Sequence, residues 1–137
     1  MNTHQLSALC LSLTIGASLG SSAAAAEMVA IMAPVAAPLT KDQVADVFLG
    51  RSTEFKPVDL PESSVARETF YKKATGRDAA QVRAVWARLI FIGRGKLPKE
   101  LPDAAAVKKA VAADPNMVGY IDKADLDPSV KVVLSLN

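Results

Sequence analysis

The sequence predicts an α/β fold in which a small mixed sheet is packed by about four helices. Three observations carry that prediction. Short apolar runs rich in strand formers occupy residues 28–33, 117–121 and 130–136. Between the first two of these lie four segments with helical periodicity, each opened by a capping residue. The resulting order, β-α-β-α-α-α-β-β, places helices between non-adjacent strands and so calls for a layered sheet with crossovers.

Each element has a local cause. Residues 28–33 (MVAIMA) form an apolar run ended by Pro34 and Pro38, which reads as a buried strand. Thr40-Lys41-Asp42-Gln43 is a capping box; the helix behind it turns Val44, Val47 and Phe48 inward and stops at Gly50. Residues 55–60 (FKPVDL) read as a second strand, and Pro57 marks it as an edge. The turn Pro61-Glu62-Ser63-Ser64 leads into a helix over 65–74 with Phe70 inward and Gly76 as its stop. Asp78-Ala79-Ala80-Gln81 is another capping box. It opens the strongest periodic segment, with Val82, Val85, Trp86, Leu89 and Ile90 on one stripe. Gly93-Arg94-Gly95 ends that helix, and Pro98 and Pro102 hold an extended connector. Asp103 caps a shorter helix with Val107, Ala110 and Val111 inward, stopped at Asp114-Pro115. Residues 117–121 and 130–136 close the chain as two strands.

Composition narrows the function. The 137 residues allow one domain, and residues 1–26 read as a secretory signal. That stretch has a short polar start, an apolar middle and a small-x-small site at Ala24-Ala25-Ala26 before Glu27, although no Lys or Arg precedes the apolar run. Ser7-Ala8-Leu9 before Cys10 does not fit a lipoprotein cleavage box. The folded domain is then 27–137, and no apolar run in it approaches the ~18–20 residues that span a bilayer. All 16 basic and 14 acidic residues fall in this part, and a spread balance of +2 gives no electrostatic argument for nucleic acid or membrane. The only Cys (Cys10) and the only His (His4) leave with the signal. The remainder has no disulfide, thiol nucleophile, His general base or Cys/His metal site. No Ser stands at a motif spacing from a basic partner, and no carboxylate pair is marked out. The sequence therefore predicts no catalytic residue, no metal, no cofactor and no enzyme.

Several stretches together resemble a known family. LTKDQVADVFLG (39–50) resembles the L-(S/T)-x-x-Q-(L/V)-A-x-(I/V)-F-x-G segment of periplasmic phosphate-binding proteins of ABC transporters. SVARETF (64–70) resembles their SGTRETF segment, and VGYI (118–121) their IGY strand near the end of the second lobe. WARLIFIGRG (86–95) is similar to a feature of short, single-lobe members of the superfamily. The resemblance runs through nearly all of 27–137 in the same order. It implies one lobe of a class II periplasmic binding protein, located in the periplasm, with the facing lobe missing.

In full-length relatives, phosphate sits between two lobes, partly held by a helix N-terminus and a Ser/Gly/Thr run. The physics is general, because unpaired N–H groups and the positive end of the helix dipole favour an anion there. Carried over, the resemblance gives an oxyanion site of Ser64, Ser63, Glu62, Val65, Ala66 and Arg67. Ser64 matches the Ser of the run, Arg67 its Arg, and Glu62 sits where relatives carry an acid that accepts a phosphate proton. Four positions depart from the family pattern, and those at Leu60, Val65 and Ala66 weaken the site. Ser63 and Val65 replace glycines, Ala66 replaces the Thr, and Leu60 stands at the usual Arg. Losing that Arg removes a charge-assisted pair of ~1.5–3 kcal/mol, and Val65 limits close approach to the backbone.

The sequence thus supports a periplasmic solute-binding-like protein that takes phosphate or a related oxyanion weakly at the helix start. The alternative is a ligand-free interaction or adaptor protein docked on a membrane sensor or transporter. Plainer roles stand beside the site residues: Ser63 and Ser64 as caps, Glu62 as a solvated carboxylate, and Arg67 on an exposed helix face. Trp86 and Tyr120 read as core. Gly93-Arg94-Gly95-Lys96 reads as an ordinary helix end, where glycine and basic residues are expected.

Overall fold

Every residue of β1 (Met28–Met32) is buried, so both faces of this strand are covered by other parts of the protein. The computed structural model describes residues 27–136; the signal read in 1–26, with His4 and Cys10, lies outside them. The sheet has five strands in the order β3 (Lys99–Glu100), β2 (Lys56–Asp59), β4 (Met117–Asp122), β1 and β5 (Lys131–Leu136). β1 runs antiparallel to β4 and β5, while β2 runs parallel to both β4 and β3. The sheet is mixed, as expected.

Two neighbours on β4 show how the layers form, since adjacent strand residues point to opposite faces. On one face a Cβ at Gly119 would lie 2.7 Å from a Val107 methyl and 3.1 Å from a Val111 methyl, both on α4 (Ala104–Ala113). Only glycine lets α4 come this close. On the other face Tyr120 stacks on Phe70 of α2 (Val65–Thr75), with ring centroids 4.0 Å apart and planes within 5°. Phe48, at the end of α1 (Lys41–Phe48), meets Phe70 edge-on at 4.7 Å. Helices therefore cover both faces, and the core runs through the sheet.

The four helices begin where the capping residues lie. Thr40 and Asp78 form complete capping boxes with Gln43 and Gln81. Ser64 and Asp103 accept the backbone N–H of Arg67 and Ala106. Gly50 and Gly76 take the left-handed conformation expected of helix stops, at φ 72° and 70°.

Three expectations need correction. β2 is not an edge strand. β3, however, pairs only with Val58 and Asp59, so the sheet is open beside Pro57, where a missing N–H costs nothing. The connector after Pro98 contains β3 itself, two exposed residues whose polar character gave no strand signal. The stripe on α3 (Ala79–Phe91) is only partly covered. Val82 and Trp86 are buried, Val85 and Leu89 are half-buried, and Ile90 is 45% exposed. The helix docks at its middle, and in its last turn Leu89 still packs on the core while Ile90 and Phe91 are left bare.

Trp86 holds that docking through the end of α1. Its indole N–H donates to the Phe48 carbonyl at 3.0 Å, and its ring lies against Gly50 and Gly95. Trp86→Ala should cost ~3–5 kcal/mol through the cavity and the stranded carbonyl. Denaturant melts measure this, and a change under ~1 kcal/mol contradicts the assignment.

Candidate binding site

β2 ends on a carboxylate that the fold has taken out of water. Asp59 is 3% exposed, the one buried charged residue among those described. Its Oδ2 accepts the Tyr71 hydroxyl at 2.7 Å, and its Oδ1 accepts the Tyr120 hydroxyl. The Leu60 N–H donates to Oδ1 at 3.1 Å, and the Arg67 Nε stands 3.6 Å from the same oxygen. A buried carboxylate is tolerable only when its lone pairs are filled in this way. Burial, then the Asp59 charge, push both tyrosine pKa values far above the usual range.

Arg67 is accordingly not on an exposed face. Its side chain is 17% exposed and lies over the Tyr71 ring, 5.8 Å from the centroid. Its guanidinium donates to the Leu60 carbonyl at 3.0 Å and lies 3.9 Å from Glu100 of β3. The arginine spans the end of β2, the edge strand β3 and its own helix. Leu60, at the position where the resembled family carries an arginine, buries its side chain.

The other expected site residues gather nearby in different states. Ser64 Oγ accepts the Arg67 N–H at 3.3 Å and is thus engaged as the α2 cap. Ser63 is exposed. Val65 is 78% exposed and Ala66 packs against the core. Glu62 is tied to Arg83 of α3 by two hydrogen bonds, Nε–Oε1 at 3.2 Å and Nη2–Oε2 at 3.3 Å. The structure thus brings Glu62, Ser64 and Arg67 to one end of the sheet. It adds Asp59, Arg83 and Glu100, which the sequence did not single out.

A small hollow of about 90 Å³ lies among these groups, walled by Asp59, Glu62, Glu100, Arg67 and Arg83 together with the edge of Trp86. Three carboxylates face two guanidiniums there, so the side chains sum to a slightly negative wall. Within the hollow the side-chain cations already serve carboxylates. The donors left at the start of α2, beside its walls, are the N–H groups of Val65 and Ala66 and the hydroxyls of Ser63 and Ser64, since Ser64 only accepts in its cap.

Both tyrosines of the chain belong to this cluster, which makes it visible by titration. The folded state keeps the phenols protonated, whereas an unfolded chain ionises near 10. The cluster's contribution is therefore complete below that pH and falls as pH rises past it. Tyrosinate absorbance should appear only together with loss of the fold. Ionisation of either tyrosine near its ordinary value in the folded protein contradicts the geometry. Asp59→Ala should cost ~3–5 kcal/mol, because it strands two hydroxyls and a guanidinium.

No known family profile matches the chain, and no curated protein does. Solved structures do match. The chain superposes on an ABC-type phosphate transport receptor from Vibrio cholerae with TM-score 0.61 and 18% identity, over 79% of this chain and 46% of that one. A putative phosphate ABC transporter substrate-binding protein from Clostridium perfringens, solved with bound phosphate, gives TM-score 0.61 and 20% identity over 79% and 45%. PstS from Borrelia burgdorferi gives 0.58 and 11% over 79% and 47%. The chain spans about half the length of each, and at these identities the likeness is one of fold. The chain has the fold of a single lobe of the phosphate ABC transporter substrate-binding proteins.

Proposed function

We propose that this chain is an exported, periplasmic protein of solute-binding type, not an enzyme, that acts by docking on a membrane-bound sensor or transporter. One observation favours docking over solute capture. Around the start of α2 the charged side chains that would hold a ligand hold one another: Arg67 with Asp59 and the Leu60 carbonyl, and Arg83 with Glu62. A carrier needs those groups free. It also needs walls that enclose most of the ligand, and one lobe supplies half of them.

A second reading has its own support. The N–H groups of Val65 and Ala66 open an 11-residue helix, where the dipole favours an anion. The same fold occurs in a protein solved with phosphate bound. On this reading Ser64, Ser63, Glu62, Val65, Ala66 and Arg67 hold phosphate or a similar oxyanion weakly.

A thermal-shift panel of oxyanions separates the two. A ligand at 100 times its Kd stabilises by about 2.7 kcal/mol. The docking reading expects no shift beyond an ionic-strength control up to roughly tens of millimolar anion. A shift that Ser64→Asp abolishes, with stability kept because Asp caps as well as Ser, supports the oxyanion reading instead. Export is tested separately, since the intact mass of protein from a periplasmic extract should begin near Glu27. Soluble exported protein that retains residues 1–26 contradicts it.

A further inference from the structure

A second, wider hollow of about 430 Å³ shares Trp86, Leu97 and Pro98 with the small hollow at the Asp59 cluster. Its floor is apolar, built by Val47, Phe55, Val58, Trp86, Leu97 and Met117. One wall is the loop after α3, whose backbone lies on the indole; a Cβ at Gly95 would stand 3.1 Å from Leu89 and 3.4 Å from Trp86. The rim carries Lys56, Arg94, Lys96 and Lys99, and no Asp or Glu lines the hollow. Lys56 is paired with Asp114 at 2.9 Å, whereas Arg94, Lys96 and Lys99 have no carboxylate within ion-pair distance among the described residues. In a chain of net charge +2 this is a local concentration of unpaired cations around an apolar floor.

We infer that this hollow is the docking surface for a partner protein's segment that carries apolar side chains flanked by carboxylates. The inference rests on the docking reading and names its surface. Charge complementarity gives the occupant its acidic character, since opposed potentials steer encounter and reject like-charged partners. Concavity gives it its apolar side chains, because a flat lipid surface leaves the floor of Val47, Phe55 and Val58 unfilled. Exposure at the rim points to a macromolecule. The rim includes Leu97, 65% exposed, and apolar surface open to solvent at the edge of a hollow marks an interaction site.

Trp86 lines the hollow and is the one tryptophan of the chain, so its emission reports occupancy. The probe is a short synthetic peptide alternating Glu with Leu and Phe. It should change Trp86 emission saturably and bind more weakly as salt rises. Lys96→Glu combined with Lys99→Glu, at exposed positions without ion pairs, should keep the melting temperature and weaken the peptide about tenfold or more. A matched peptide with Lys in place of Glu should not bind. Equal affinity for both peptides, or no loss in the double variant, overturns the inference. Binding to phosphatidylglycerol vesicles without binding to the peptide also overturns it, making this a lipid-facing surface. If the peptide fails, photo-crosslinkers placed at Leu97 and at the exposed Ala124, beyond the opposite end of β4 from Met117, in exporting cells tell the two failures apart. Crosslinks from Ala124 alone discard this surface and keep the docking reading; crosslinks from neither overturn both.

Discussion

The buried carboxylate of Asp59 is the constraint on which the rest of the structure depends. Removing such a group from water costs several kcal/mol, recovered only if every lone pair is met with good geometry. The fold supplies that geometry from three separate elements: Tyr71 from α2, Tyr120 from β4 and the Leu60 N–H beyond β2. Satisfying one side chain thus fixes where α2 sits on the sheet. It also places the first turn of α2, and with it Ser64, at the strand ends.

The same interaction decides what the cleft can do. Arg67 is drawn inward by Asp59 and stacked on Tyr71, so the cation that could meet an incoming anion is spent within the fold. Arg83 is engaged by Glu62 in turn. That outer pair is exposed on both sides and worth ~0–1 kcal/mol, far less than the buried cluster. The two guanidiniums of the cleft are therefore neutralised in two layers, a fixed inner one and a labile outer one, and the third carboxylate leaves the wall slightly negative. In the wider hollow the balance reverses, with cations left unpaired around an apolar floor. The indole, pinned by the Phe48 carbonyl, lines both hollows.

How much of this was legible in the sequence follows from the range of each interaction. Thr40 with Gln43 and Asp78 with Gln81 lie three residues apart, so the caps and the helices behind them could be read directly. The apolar runs gave the strands for the same local reason, and the ordered motifs identified the lobe. β3 could not be read, because two polar residues become a strand only through the neighbour that β2 provides. The stripe on α3 correctly grouped Val82 with Trp86, but periodicity says which residues share a face and not whether anything covers its end. Ile90 is bare for that reason. Asp59 was invisible as a site residue because its partners lie 12 and 61 positions away. Arg67 followed it inward, against the expectation of an exposed face. Glu62, Ser64 and Arg67 lie at one end of the sheet, while their mutual occupation depends on side chains such as Arg83 that no local motif marks.

The central claim is that the cleft at the start of α2 is occupied by its own ion pairs. The most direct test is calorimetric titration of phosphate into the wild-type protein and Glu62→Gln. If Glu62 neutralises Arg83, removing its charge frees a guanidinium beside the helix start and lifts a repulsion, so the variant should bind phosphate more tightly than the wild type. If Glu62 instead serves as a ligand that accepts a phosphate proton, the wild type should bind more tightly and the variant should lose affinity, which contradicts the account.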